Sequence, residues 1–350
     1  MKKSSYIGID LGDRFHEVCG LDERGQVVER ERIANKPESL DRIFGNRAPV
    51  VVAMEAGTHT GWIGRRLEGH GHRVVVANPR YVRAIWDRDR KNDASDAEML
   101  ARLVRVDETL LHPVRLRSEA VQLDRGLLRV RDGLVQTRTK LINQVRGLAK
   151  TLGSRVASCD ARSFATKARE GHSAALLAVL NPLIVVLEAV EQQIRTLDRE
   201  IVRMGAQRYP VTARLQEVPG VGPLTAAAYV VTLENPEWFA KSRDVGPYLG
   251  LVPRQDQSGA TDKQLAITKA GDGYLRRLLV NGSQYILGPF GPPCALRTFG
   301  LRLAARGGRN AKRRAVVAVA RKLAVLLHAL WVGDAPYDPN RGMKTTDEAA

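Results

Sequence analysis

The chain is short of cysteine, short of acid relative to base, and without a long apolar run. Each shortage excludes a class of protein. Three cysteines in 350 residues (Cys19, Cys159 and Cys294) are too few and too scattered for a disulfide framework or a zinc site. A reducing cytoplasm fits them. No run of about 18 uninterrupted apolar residues occurs, so no membrane span is expected. The N-terminus carries Lys2 and Lys3, but its apolar run is broken by Asp10, so it does not read as a signal peptide. Asp and Glu number 38 against 55 Lys and Arg, a formal net charge of +17. That excess points to a polyanionic partner, most simply nucleic acid; a ribosomal or merely basic protein is the plain alternative. Hydrophobic residues make up 44%, which rules out a disordered chain, and the length suffices for two domains with cores of their own.

Few as the acids are, four of them are suggestively placed. Lys91 to Leu100 reads KNDASDAEML, the start of a predicted helix. Asp93 and Asp96, three apart, share a face of that helix. Asp10 ends the apolar run Tyr6–Ile9, and Glu55 ends Val50–Met54. Both runs read as buried strands. Four carboxylates at one sheet edge would repel one another unless a cation sat between them, and their oxygens suit a hard divalent ion such as magnesium. Each acid taken alone could equally be a cap or a surface charge. Two such ions about 4 Å apart can activate a nucleophile and stabilise a leaving oxygen in phosphodiester cleavage.

Along the chain, Tyr6–Leu11, His16–Leu21 and Gln26–Ile33 predict a meander, with Asp22–Gly25 as a hairpin turn. A short helix over Pro37–Gly45, a strand over Val50–Met54, a helix over Gly57–Glu68 and a strand over Arg73–Ala77 follow. That order is the order of a ribonuclease-H-like fold. Leucine and valine then recur at spacings of three, four or seven over 116–150, and again with isoleucine over 173–204. The pattern predicts two long amphipathic helices, an antiparallel hairpin or a coiled-coil arm. An ordinary helical subdomain is the competing reading.

Residues 217–226 read EVPGVGPLTA, which looks like a helix-hairpin-helix turn. Gly220 and Gly222 would let the backbone approach a phosphate that the next helix meets with its N-terminal N–H groups. A Gly-Pro turn between two core helices is the alternative. Lys269, Arg276 and Arg277 lie in and after the ITKAGD segment, and Ala295–Val325 holds nine Lys or Arg and no acid. Arg309, Lys312, Arg313 and Arg314 form its densest part. They are expected to contact phosphate, the alternative being a solvated face. The tail after Pro336 is polar and expected to be disordered.

Taken together, YIGID (6–10), MEAGTHTGW (54–62), KNDASDAEML (91–100), VPGVGPLTA (218–226), YLGLVPRQDQSG (248–259) and ITKAGDGYLRRLL (267–279) resemble a DEDD transposase of the insertion-sequence-110 family, the recombinases guided by a bridge RNA. The resemblance covers nearly the whole chain. It implies a RuvC-like catalytic domain over 1–115, a coiled-coil arm over 116–205, and a mostly helical transposase domain over 206–335, followed by the tail 336–350. It implies that Asp10, Glu55, Asp93 and Asp96 bind magnesium, two ions with manganese as a substitute, and that Ser258 is the nucleophile. Ser242 and Ser283 are its nearest competitors, and Asp256 departs from the plainer polar residue expected two before it. The implied partners are donor and target DNA, a structured guide RNA and further copies of the chain as a dimer or tetramer, with no membrane.

Two other classes share parts of this pattern. GIDLG at 8–12 also resembles the first phosphate loop of actin-like ATPases, but Asp13-Arg14 stands where a Gly-Thr pair is expected and no later Asp-x-Gly stretch reads as a phosphate loop. A RuvC-type Holliday-junction resolvase would share the quartet without needing a second domain that carries a serine.

Overall fold

The computed structural model describes residues 4–85, 92–258, 261–333 and 335–340, with side chains described in these except at 83–85, 256–258 and 261–264. The chain divides into two compact units, Met1–Ala120 and Val121–Ala350.

The first unit is built on one five-stranded sheet. Its strands are β1 (Tyr6–Leu11), β2 (Phe15–Leu21), β3 (Val27–Ala34), β4 (Val51–Glu55) and β5 (Arg73–Ala77), in the order β3-β2-β1-β4-β5. β1 pairs antiparallel with β2 and parallel with β4, so the central strands are the apolar runs Tyr6–Ile9 and Val51–Met54. Central strands have both faces covered, which is why these read as continuous apolar stretches. Helices α1 (Pro37–Phe44) and α2 (Thr60–Gly69) cover one face. There Ile7, Ile9, Val52 and Met54 pack with Leu40, Phe44, Ile63 and Leu67. α3 (Pro79–Ile85) follows β5, and α4 (Asp93–Val106) covers the opposite face. On that face Ala53 and Val75 pack with Met99, Leu100 and Val104.

In the second unit two long helices run antiparallel, α5 (Glu119–Thr151) and α7 (Ala174–Arg208), with the short α6 (Phe164–Lys167) between them. Ile142, Val145 and Ala149 of α5 bury against Leu180, Ile184 and Leu187 of α7 and against Phe164. Ion pairs Arg131–Asp198 and Arg138–Glu191, each 2.8 Å, cross between the helices one heptad apart on both. The rest of the unit comprises α8 (Val211–Leu215), α9 (Pro223–Leu233), α10 (Val245–Tyr248), a hairpin of β6 (Pro253–Ser258) and β7 (Thr261–Ile267), α11 (Gly273–Leu287), α12 (Ala295–Ala304) and α13 (Ala311–Val332). α9 is buried from Thr225 to Leu233 and packs with α11 and α13. α7 and α13 are long and apolar enough to cross a membrane by length and composition alone. In α13 Val319, Leu323 and Leu327 are wholly buried in the unit's core.

Candidate active site

Asp10 and Glu55 stand side by side. β1 and β4 run parallel in the register Ile9↔Met54, so each carboxylate is the next residue of its strand, at the C-terminal end. Alternation along a strand places them on a common face. Ile7, Ile9, Val52 and Met54 point toward α1 and α2, so Gly8, Asp10, Ala53 and Glu55 point toward α4. Both carboxylates are half-buried.

α4 brings the other two acids to the same end. Gly8 lets the helix lie directly on β1: a Cβ there would strike Ala97 O and Ala101 N. Arg30, opposite Cys19, which in turn lies opposite Gly8, donates to Ala94 O at 3.5 Å and pairs with Glu98. Arg102, two turns further on, donates to Gly25 O at 3.2 Å in the β2–β3 turn beyond the start of β1. α4 therefore runs antiparallel to β1, with its first turn toward the Asp10 end. Asn92 caps that turn, its side chain accepting from Ala94 N–H at 3.1 Å. Asp93 and Asp96 occupy the first turn, where the helix dipole favours negative charge. Lys91, which opens the motif, lies outside the described residues.

The four carboxylates share one edge, but among the described residues no three His, Cys, Asp or Glu side chains converge into the range of a single metal ion. Like-charged groups hold apart, and drawing them together takes a cation at their centre. The donor set itself, oxygen only, fits a hard divalent ion.

A further polar cluster at this end was not legible in the sequence. His59 precedes α2, and its Nε2 lies 3.2 Å from Asp13 Oδ1 and 3.3 Å from Asn35 Nδ2, while Trp62 Nε1 donates to its Nδ1 at 3.4 Å. His16 is fully buried, and burial holds its imidazole below the ordinary value. These residues lie 22 or more positions apart in places and meet only through strand pairing. No local pattern signals that. Glu17, opposite Asp10 on β2, is also an acid at this edge, but Arg32 on β3 pairs with it at 3.3 Å.

In the second unit Ser258 ends β6, its backbone described and its side chain outside the described set. The base of its hairpin is clamped. Thr268 N–H donates to Val252 O at 2.9 Å and Lys269 N–H to Gly250 O at 3.1 Å. Gly250 and Gly271 have positive φ, and a Cβ on either would strike the facing backbone. Arg276 ties the same loops by donating to Leu249 O at 2.9 Å and to Ala270 O at 2.8 Å. Arg277 pairs with Asp132 on α5. Both cations thus have partners inside the protein, and Lys269, at φ 54, is exposed.

Of the competing serines, Ser283 is fully buried in α11, donating to Leu279 O at 2.8 Å. Ser242 lies 3.0 Å from His328 Nδ1, and the other ring nitrogen of His328 is 3.0 Å from Pro236 O. Gly220, at φ +80, meets α11: a Cβ there would come 2.5 Å from Gly282 O. Gly222 precedes α9 with open space at its Cβ position.

Lys312, Arg313 and Arg314 sit in the first turn of α13, which contains no acid. Cations at that end oppose the helix dipole, at about 0.3–1 kcal/mol each. Among the described residues neither they nor Arg309 form an ion pair, and all four are exposed. A polyanion would offset the cost.

Comparison with known proteins agrees with this layout. Residues 7–153 match a transposase family model of the DEDD, insertion-sequence-110 type, and residues 212–293 match the model described as "Transposase IS116/IS110/IS902 family". The transposase for insertion sequence element IS1111A of Coxiella burnetii is 30% identical over 346 residues, covering 96% of this chain and 92% of its own. A probable family 20 transposase of Pseudomonas aeruginosa is 31% identical over 344 residues, 96% of this chain and 99% of its own. The transposase for insertion sequence element IS1328 of Yersinia enterocolitica is 32% identical over 80% of this chain and 83% of its own. The first match covers the first unit and runs on through α5, and the second lies within the second unit, so that Asp10, Glu55, Asp93 and Asp96 fall in the first match and Ser258 in the second. This chain belongs to the insertion-sequence-110 family of transposases, enzymes that move DNA.

Proposed function

We propose that the protein is an RNA-guided recombinase that cuts and rejoins DNA by serine attack, assisted by divalent ions at a RuvC-like carboxylate edge. The observation that carries this reading is the placement of Asp10, Glu55 and the first turn of α4 at one end of one sheet face. Asp10, Glu55, Asp93 and Asp96 would hold magnesium, or manganese in its place, and the ions would supply charge stabilisation to the oxygens of the scissile phosphate. Ser258 Oγ forms a bond to phosphorus as the bond to the leaving strand oxygen breaks, and the serine proton ends on that oxygen. The covalent link conserves the bond energy for rejoining to a new strand.

The paired ladder of α5 and α7 supports an arm that holds copies of the chain together, and the exposed cations of α13 support contacts to DNA and to a structured guide RNA. A helix-hairpin-helix role for α8, the 216–222 turn and α9 rests on Gly222 and the N-terminus of α9, since Gly220 packs inward. Such a protein would work in the cytoplasm, on the nucleoid. The test is strand cleavage of donor and target DNA in the presence of RNA transcribed from the flanks of the gene. Asp10→Asn and Asp96→Asn should each lower cleavage by about 10³-fold or more while leaving nucleic-acid affinity within about twofold. Full activity in either variant, or in EDTA, overturns the metal reading.

A further inference from the structure

An open cleft of about 2120 Å³ lies along α13, bounded by α12, the base of the β6–β7 hairpin and residues 337–340. It exceeds the roughly 300–1,000 Å³ of a small-molecule site. Arg302, Arg306, Arg313, Arg314, Arg321 and Lys322 line it, all exposed, and among the described residues none is in an ion pair. Asp338 is the one acid among the described lining residues. Arg313 and Arg314 stand two turns from Arg321 and Lys322, about 12 Å along the axis, so the charge forms a track.

Between the cations the lining is apolar: Leu251, Phe299, Val317 and Leu326. Lys322 Nζ sits 4.3 Å from the centroid of the Phe299 ring. A duplex presents phosphates and hides its base faces, so it has no use for an apolar floor beneath a row of cations. An unpaired strand uses both, phosphates on the guanidinium groups and bases against ring and aliphatic surface.

We propose that this cleft holds an unpaired strand of DNA, its phosphates on the α12 and α13 cations and its bases on the floor around Phe299, leading it to the hairpin that carries Ser258. The choice of DNA over RNA rests on the reading of Ser258 as the nucleophile. The presence of the cleft and its preference for an unpaired strand do not. Leu265, Ala266 and Ile267 of β7 form part of the wall, so a strand in the cleft passes along the hairpin.

The test is fluorescence anisotropy of the full chain with labelled oligothymidine of about 12 nucleotides, with oligouridine and with a duplex of the same length, over a range of salt. Oligothymidine should bind most tightly. Arg302→Gln combined with Arg321→Gln should weaken it about tenfold or more and reduce the slope of log affinity against log salt by about 1.4, at about 0.7 per phosphate contact, while duplex affinity stays within about twofold. The paired Lys substitutions at the same positions should keep the slope. Phe299→Leu should weaken single-strand binding without changing the slope, and Asp338→Asn should tighten it. Ser258→Ala should bind as the wild type does, so a failure of the nucleophile reading shows in the loss of covalent adducts and not here. An unchanged slope in the double Gln variant, an equal loss for duplex, or oligouridine bound as tightly as oligothymidine would overturn the proposal.

Discussion

Asp272 shows how one side chain can hold a functional region in place. It caps α11 by accepting from Leu275 N–H at 2.9 Å, and it pairs with Arg125 at 2.7 Å and Arg129 at 2.6 Å on α5, with only 6% of its side chain exposed. Burial alone would raise its carboxyl, but the Leu275 N–H and the two guanidinium groups outweigh burial and hold it below the ordinary value. Its contribution to stability is therefore complete above pH 3.8, the ordinary value, and is lost as pH falls through the lower folded value. Asp272→Asn should cost about 1–3 kcal/mol near neutral pH, the upper part of that range being discounted because Arg129 is half exposed. The difference from wild type should shrink below pH 3.8. Denaturant titration at neutral and acid pH checks both, and an equal difference at the two would remove the charge from the explanation. At this scale the sequence was readable where chemistry is local: the Asp-x-x-Asp spacing and the acids at strand ends. The roles of Arg276 and Gly220 were not. Each looks like a nucleic-acid contact in sequence, and each is turned inward by a backbone that only tertiary packing brings near.

Among the elements, β1 was read with its observed bounds because a central strand is apolar on both faces. α2 starts at Thr60 and not at Gly57, because Thr60 Oγ1 donates to Glu55 O and accepts from Gly57 N–H, each at 2.7 Å, which makes 57–59 a turn. The β6–β7 hairpin was not anticipated. Its strand PRQDQS is polar and has no alternation to detect, and its described side chains, Pro253, Arg254 and Gln255, are exposed. The close contact of α4 with β1 leads to a sharp expectation. Gly8→Ala puts a methyl into the Ala97 carbonyl, a backbone atom that cannot swing aside. The change should cost about 3 kcal/mol or more, by the magnitudes of overpacked cores, and should lower activity by moving the first turn of α4 away from Asp10. Thermal unfolding with cleavage assays reads both. A variant as stable and as active as wild type would show that α4 does not lie on β1 as described.

At the scale of the molecule, the carboxylates belong to the first unit and Ser258 to the second. A serine hydroxyl must come within about 3–3.5 Å of phosphorus to react. We expect one protomer's serine to complete another's carboxylate edge, with the α5–α7 pair joining the copies. Mixing Ser258→Ala with Asp10→Asn, each inactive alone, should then restore part of the activity; no restoration in mixtures proven to form mixed oligomers would place the whole site in one chain. The change from alternating strands to long heptad-like helices is written along the chain and falls near the division of the units, while the arm expected over 116–205 and the domain expected over 206–335 lie together in the second unit. The manner in which copies meet was not legible, because it depends on surfaces with no local signature. The most direct measurement of the central claim is the capture of covalent protein–DNA adducts on a denaturing gel, using end-labelled DNA, guide RNA and the wild-type chain. Adducts should form with magnesium, vanish with EDTA, and be absent for both Asp10→Asn and Ser258→Ala. Adducts that persist in EDTA or in either variant would contradict it.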